Sequence, residues 1–283
     1  MEHMKERAMK MLFASAASIS VATAVLICLF LFASGMPAIG EIGIRAFLFG
    51  MRWKPASEFY GILPMIIGSV YVTIGALLLG VPIGVLTAVF MARFCPKYLY
   101  KPMKMAVNLM AGIPSVVYGF FGLVVLVPFI RTVFGGRGHS LLAASVLLGL
   151  MILPTIISVS EAAIRAVSQS YYEGGLALGA SHERSVFFCL LPAAKSGIFA
   201  GVALGVGRAI GETMAVKMVA GNQPVVPDSL LDGVRTLTAN IVLEMGYSTD
   251  LHREALFGTA VVLFAFILII NLSLALFKRR GAK

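Results

Sequence analysis

Hydrophobic positions along this chain fall in six blocks, separated by polar or glycine- and proline-rich stretches. The blocks run over about 11–33, 64–91, 105–130, 141–160, 196–220 and 255–277. Each has about the length that an α-helix needs to cross roughly 30 Å of hydrocarbon. Backbone amides find no water partner there, so such blocks fold as helices. The pattern predicts an all-α, polytopic membrane protein with six transmembrane helices. Lys5, Arg7 and Lys10 before the first block resemble the start of a secretory leader. The block itself exceeds a leader's apolar region of about 7–15 residues, so it is read as a helix that stays.

Composition agrees. The 283 residues are 59% hydrophobic and 13% charged, with mean hydropathy +0.93. A soluble domain carries about twice that charged share. The net charge of +10 is explained by its distribution. With the N-terminus inside, the inner segments hold Lys5, Arg7 and Lys10; Arg93, Lys97, Lys101 and Lys104; Arg165, Arg184 and Lys195; and Lys278, Arg279, Arg280 and Lys283. The outer segments hold fewer basic residues. Both termini are therefore expected in the cytoplasm, and no nucleic-acid partner is needed. Cys28, Cys95 and Cys189 are far apart and give neither a disulfide nor a zinc pattern.

Two outer segments stand out, 34–63 and 221–254, the second with a helical pattern near 230–245. Neither is large enough to fold alone. Glycines and small residues crowd the second block, GSVYVTIGALLLGVPIGV, as close helix packing in lipid requires.

The polar loop of about 168–195, between the fourth and fifth blocks, reads as two short helices. Ser170 with Glu173 forms an S-x-x-E capping box. Gly179 suits the left-handed residue closing that helix, and Ser181 caps a second one ending before Pro192. Leu176, Leu178, Val186, Phe187 and Phe188 offer apolar anchors of the kind that seats a helix on another protein. The loop resembles the E-A-A-x3-G-x9-I-x-L-P motif of ABC importer permeases. Glu173, Gly179, Leu191 and Pro192 stand at its spacing; Gly174 and Gly175 replace the two alanines, and Cys189 replaces the isoleucine. The literal EAA at Glu161 lacks the later glycine and proline and is set aside.

Two further stretches resemble the phosphate importers among these permeases, the C-type subunit in particular. FLFGMRWKPASEFYG carries F-x-F-G-x-x-W-x-P on Phe47, Phe49, Gly50, Trp53 and Pro55, and GRAIGETMAV matches the fifth-span signature. The resemblance implies a type I ABC importer permease fold. It divides the chain into a first helix with outer segment, 1–63, and a transmembrane domain, 64–283. It implies a prokaryotic cytoplasmic (inner) membrane, a heterodimer with an A-type permease, a dimer of ATP-binding subunits and an extracytoplasmic phosphate-binding protein. Phosphate would be the substrate and membrane lipid the surroundings. This chain would bind no cofactor, ATP and magnesium being held by the partner. It carries no G-x4-G-K-[ST] phosphate loop, no H-E-x-x-H and no G-x-S-x-G, so an enzyme is not expected. The alternatives are a sulfate or molybdate permease of the same superfamily, or a stand-alone channel or secondary transporter.

Arg208 and Glu212 lie within the fifth block. If the block is one helix, the i, i+4 spacing puts them on one face as a pair. Intramembrane ionisable residues are functional by default, and a guanidinium matches phosphate bidentately. Both are candidates for the substrate path. In GIPSVVYGFFG, residues 112–122, Ser115 and Tyr118 are further candidates on an irregular helix. Trp53 is expected to act partly as an interfacial anchor, and Arg52 and Lys54 beside it to help dock a binding protein. Glu244 and Asn271 have no assigned role.

Overall fold

The computed structural model describes residues 2–280, and the side chains of residues 5–7 and 9–273. Lys283 lies outside the described residues, as do the side chains of Lys278, Arg279 and Arg280.

Helices α1 (Glu2–Ile42) and α2 (Ile44–Phe49) lead to a small hairpin. In it β1 (Trp53–Lys54) pairs antiparallel with β2 (Phe59–Tyr60), Trp53 opposite Tyr60. Then come α3 (Leu63–Val89), α4 (Lys97–Gly112), α5 (Ser115–Phe121), α6 (Val127–Phe134) and α7 (Leu141–Ala166). A loop carries α8 (Gln169–Ala177) and α9 (His182–Ser185). The chain continues through α10 (Leu191–Gly211), α11 (Met214–Val219), α12 (Leu237–Glu244) and α13 (Asp250–Arg280).

Among the described residues, six stretches are long and apolar enough to cross a membrane: Lys5–Ile42, Leu63–Phe94, Ser115–Phe134, Leu141–Ala166, His182–Gly211 and Asp250–Ser273. The predicted number holds, but two boundaries do not. The block at 105–130 is not one helix. Ile113 is extended (ψ 126°) ahead of Pro114, which ends α4 and restarts the chain as α5. A proline pushes the residue before it out of the helical region. The block at 196–220 also breaks, at Glu212 (ψ 128°), between α10 and α11.

Three π turns recur with one relation to proline. Phe90–Phe94, Gly122–Leu126 and Val186–Leu190 each end two residues before Pro96, Pro128 and Pro192. In each, the amide just before the proline reaches back five residues: Cys95 to Phe90, Val127 to Gly122, Leu191 to Val186. Proline lacks an N–H and its ring crowds the carbonyl four residues earlier. A widened turn accommodates both defects. Pro192 therefore does not stop the helix begun at His182, as the sequence reading expected; the helix runs through it to Gly211.

α7 is the central element, with buried residues spread along it from Leu141 to Ile164. α3 lies against it so closely that a side chain at Gly80 would meet Ile152 Cδ1 at 2.7 Å. α10, α11 and α5 complete the surrounding layer, with Leu147, Leu148, Met151 and Ile152 at the centre. α1 packs on α13 through edge-to-face pairs, Phe30–Phe257 at 5.6 Å and Phe32–Phe264 at 6.0 Å. Such van der Waals packing holds helices together in lipid.

At the end of α7 away from the α8–α9 loop, residues 221–236 form a strap. Leu141 N–H donates to Asp232 O and Leu142 N–H to Leu230 O, both at 2.8 Å. These bonds satisfy orphan amides at the start of α7.

Candidate functional site at the helix breaks

Arg208 stands in the last turn of α10 and is half-buried. Its charge meets the carbonyl end of the helix, where a cation is stabilised. Side chains placed at Gly207 and Gly211 would meet nothing within 4 Å. This part of α10 therefore borders open space. The expected Arg208–Glu212 pair does not form: neither residue joins an ion pair among the described residues. Glu212 is extended rather than helical, so the i, i+4 geometry is lost. Its Oε1 instead accepts the Ala215 amide at 3.1 Å and caps α11. The two charges are thus satisfied by opposite helix ends, cation at a C-terminus and anion at an N-terminus.

The other side of Glu212 is polar and closed. Ser69 and Thr73 of α3, with Thr236 and Thr238 of the strap and α12, line a cavity of about 10 Å³ beside it. That is space for one water at most. Thr238 Oγ1 donates to Glu212 O at 3.2 Å, and Ser69 Oγ accepts the Leu237 amide at 2.9 Å.

The second break brings Tyr118 near. α5 packs on α11: side chains at Gly119 and Gly122 would press on Ala215 and on Val219. Tyr118 lies within electrostatic range of Arg208. Its hydroxyl donates to Met110 O at 2.9 Å, bridging the break between α4 and α5. Ser115 opens α5, half-buried.

The loop is a compact helix pair. Its first helix is capped by Ser168, whose Oγ accepts the Ser170 amide at 3.4 Å; the predicted box on Ser170 and Glu173 is displaced by two residues. Gly179 is left-handed at φ +83°, and Ser181 caps α9 through the Arg184 amide at 3.3 Å, both as expected. Gly175 is where the helices cross: a side chain there would meet Ser185 Oγ at 2.7 Å. Gly174 faces open space. Tyr172 OH and His182 Nδ1 join the two helices at 2.8 Å. Of the expected anchors, Val186 is buried inside. Leu178 and Phe188 stand 91% and 74% exposed, the Phe188 ring with the Arg184 guanidinium 5.9 Å from its centre.

Sequence reasoning missed two buried carboxylates. Glu244 accepts from Trp53 Nε1 at 2.7 Å and from Arg235 Nη1 at 2.6 Å, and lies 2.9 Å from His252 Nε2. Trp53 is itself 4% exposed, so it is a core residue rather than an interfacial anchor. Tyr60 and His252 ring it at 5.7 and 6.2 Å. Burial first, then Glu58 and Glu41, raises the Tyr60 phenol above its ordinary pKa. Arg52 and Lys54, flanking Trp53, remain exposed. Glu161, in the EAA string set aside above, is 2% exposed. It is bound by Tyr100 OH at 2.7 Å, Lys104 Nζ at 2.7 Å and Arg165 Nε at 2.9 Å. No cluster that could hold a metal occurs among the described residues.

Six apolar stretches of membrane-crossing length describe a multi-pass membrane protein. The chain belongs to the family of binding-protein-dependent transport system inner membrane components, whose model matches residues 80–283. It is similar to the probable ABC transporter permease protein YqgH of Bacillus subtilis, at 41% identity over 93% of this chain and 88% of that one. It is 34% identical to the phosphate transport system permease protein PstC of Mesorhizobium japonicum, over 85% of this chain and 80% of that one. Its fold resembles a chain of the inward-facing MetNI methionine ABC transporter, with TM-score 0.60 and 21% identity over 82% of this chain and all of that one. The expected type I ABC importer permease fold is thus present, in a multi-pass inner-membrane protein.

Proposed function

We propose that this chain is the C-type permease subunit of an ATP-driven phosphate importer and forms half of its translocation pore. Arg208 carries the reading: a half-buried guanidinium at a helix break, bordering open space, with no carboxylate paired to it among the described residues. Phosphate at neutral pH is a mono- or dianion, and the forked guanidinium matches two of its oxygens. Ser115, at the neighbouring break, is a hydroxyl donor for the same anion, and Tyr118 joins it only by giving up its bond to Met110 O. Glu212 holds the end of α11 and leaves Arg208 free to take the substrate. Relatives named as phosphate transport permeases support phosphate over sulfate or molybdate.

Leu178 and Phe188 seat an ATP-binding subunit, present twice in the complex, which binds and hydrolyses ATP with magnesium. Glu173, Gly179, Leu191 and Pro192 shape that loop. An A-type permease supplies the other half of the pore. An extracytoplasmic phosphate-binding protein delivers substrate at the end carrying Arg52 and Lys54. The distribution of Lys and Arg supports a cytoplasmic position for both termini.

The test is phosphate uptake in cells whose own importer is deleted. Arg208→Gln should lower uptake at least a hundredfold while the complex still purifies with its ATP-binding subunit. Uptake at the parent rate would overturn the reading. Competition by excess sulfate or molybdate would point to the other oxyanions.

A further inference from the structure

Glu161 is a carboxylate sunk into the end of α7 next to the loop, and the substrate path does not use it. Buried ion pairs are weak stabilisers, since apolar residues of similar volume often serve as well or better. What such a cluster does supply is registry between elements. Tyr100 and Lys104 both come from α4. Arg165 comes from α7, and its Nη2 reaches on to Met91 O, in the π turn that ends α3, at 2.8 Å. Arg93 of the same turn donates to Ile164 O at 3.4 Å and to Gln169 Oε1 at 3.3 Å. Gln169 is the first residue of α8. Phe94 stacks edge-on against His182 of α9 at 4.8 Å. An unbroken set of side-chain contacts therefore joins the α8–α9 loop to α4.

The far end of α4 makes this useful. It stops at Gly112, where a side chain would meet nothing, and the extended Ile113–Pro114 link follows. Beyond the link, only the Tyr118 hydroxyl on Met110 O bridges α4 to α5 among the side-chain hydrogen bonds of the described residues. α4 is thus held firmly at the loop end and lightly at the break.

We infer that Glu161 is a positioning residue that clips α4 to the end of α7 on which the α8–α9 loop rests, so that α4, this end of α7 and the loop move as one body about the Ile113–Pro114 link. The inference rests on the reading above that the loop seats an ATP-binding subunit. Motion of that subunit would then reach the break beside Tyr118 and Arg208.

The experiment uses the whole complex in proteoliposomes, measuring phosphate taken up and ATP hydrolysed in the same vesicles. With Glu161→Gln, ATP hydrolysis should stay within about twofold of the parent, and phosphate moved per ATP should fall tenfold or more. Tyr100→Phe combined with Lys104→Met removes both bonds from α4 to Glu161 but leaves Glu161 paired to Arg165, and should show the same fall. It decides the matter if Glu161→Gln does not assemble. Spin labels at Leu109 and Leu178 add a structural readout. Their separation should hold constant between nucleotide-free and ATP-bound complex in the parent, and change in the Tyr100/Lys104 variant. An unaltered ratio of phosphate to ATP in the variants, or a label distance that behaves as in the parent, overturns the clip. Failure of the parent complex to move phosphate on ATP would overturn the earlier reading instead.

Discussion

Glu161 and Glu244 are both buried carboxylates with three side-chain partners, at opposite ends of the bundle, yet they are built differently. Glu244 sits among aromatic rings, and its partners Arg235 and His252 are each only 15% exposed. Glu161 reaches the same count with Lys104 and Arg165, whose side chains are 31% and 45% exposed. The first is enclosed and ties the hairpin, the strap and the start of α13 into one body. The second has a wet rim, where water reaches the outer sides of Lys104 and Arg165. Both ends are fastened, one dry and one with water at its edge.

The comparison can be broken from either end. The largest effect belongs to Glu244→Ala, which leaves Arg235 buried and uncompensated. Removing one member of such a pair costs about 3–5 kcal/mol. Trp53 is the one tryptophan of the chain, so its fluorescence during unfolding in detergent reads this cluster directly. Glu161→Ala should cost less, about 1–3 kcal/mol, because water reaches Lys104 and Arg165; thermal unfolding of the purified chain measures it. Lys104→Met should be smaller still, about 0–1 kcal/mol, as for a partly exposed pair. The finest test is salt. At about 1 M the Debye length falls to roughly 3 Å, so the cost of Glu161→Ala should shrink while that of Glu244→Ala holds. Equal salt sensitivity would mean that the two ends do not differ.

Much of this was legible in the sequence, and the illegible parts share a cause. Six apolar blocks gave six crossings because block length alone decides that. The α8–α9 loop was readable because Gly179 and Ser181 act on neighbours a few residues away. The breaks were harder. Hydropathy runs on through Ile113 and Glu212, while backbone geometry does not, and the Arg208–Glu212 spacing has meaning only on an unbroken helix. The carboxylate hubs were out of reach. Trp53 and Glu244 are 191 residues apart, and Tyr100 and Glu161 are 61 apart, with no local pattern pointing from one to the other. Exposed Arg52 and Lys54 drew attention to the hairpin, and buried Trp53 between them turned out to hold it in place.

The π turn before Pro192 has a consequence for aim. An extra residue inserted in a helix advances everything beyond it by about 100° of phase. Arg208 lies downstream of Val186–Leu190 on the same continuous helix, so its compass bearing is set some twenty residues earlier. The same chain wound as plain α-helix through Val186–Leu190 would keep its composition, its span and its arginine, and would point that arginine about a quarter turn away from the open side of α10.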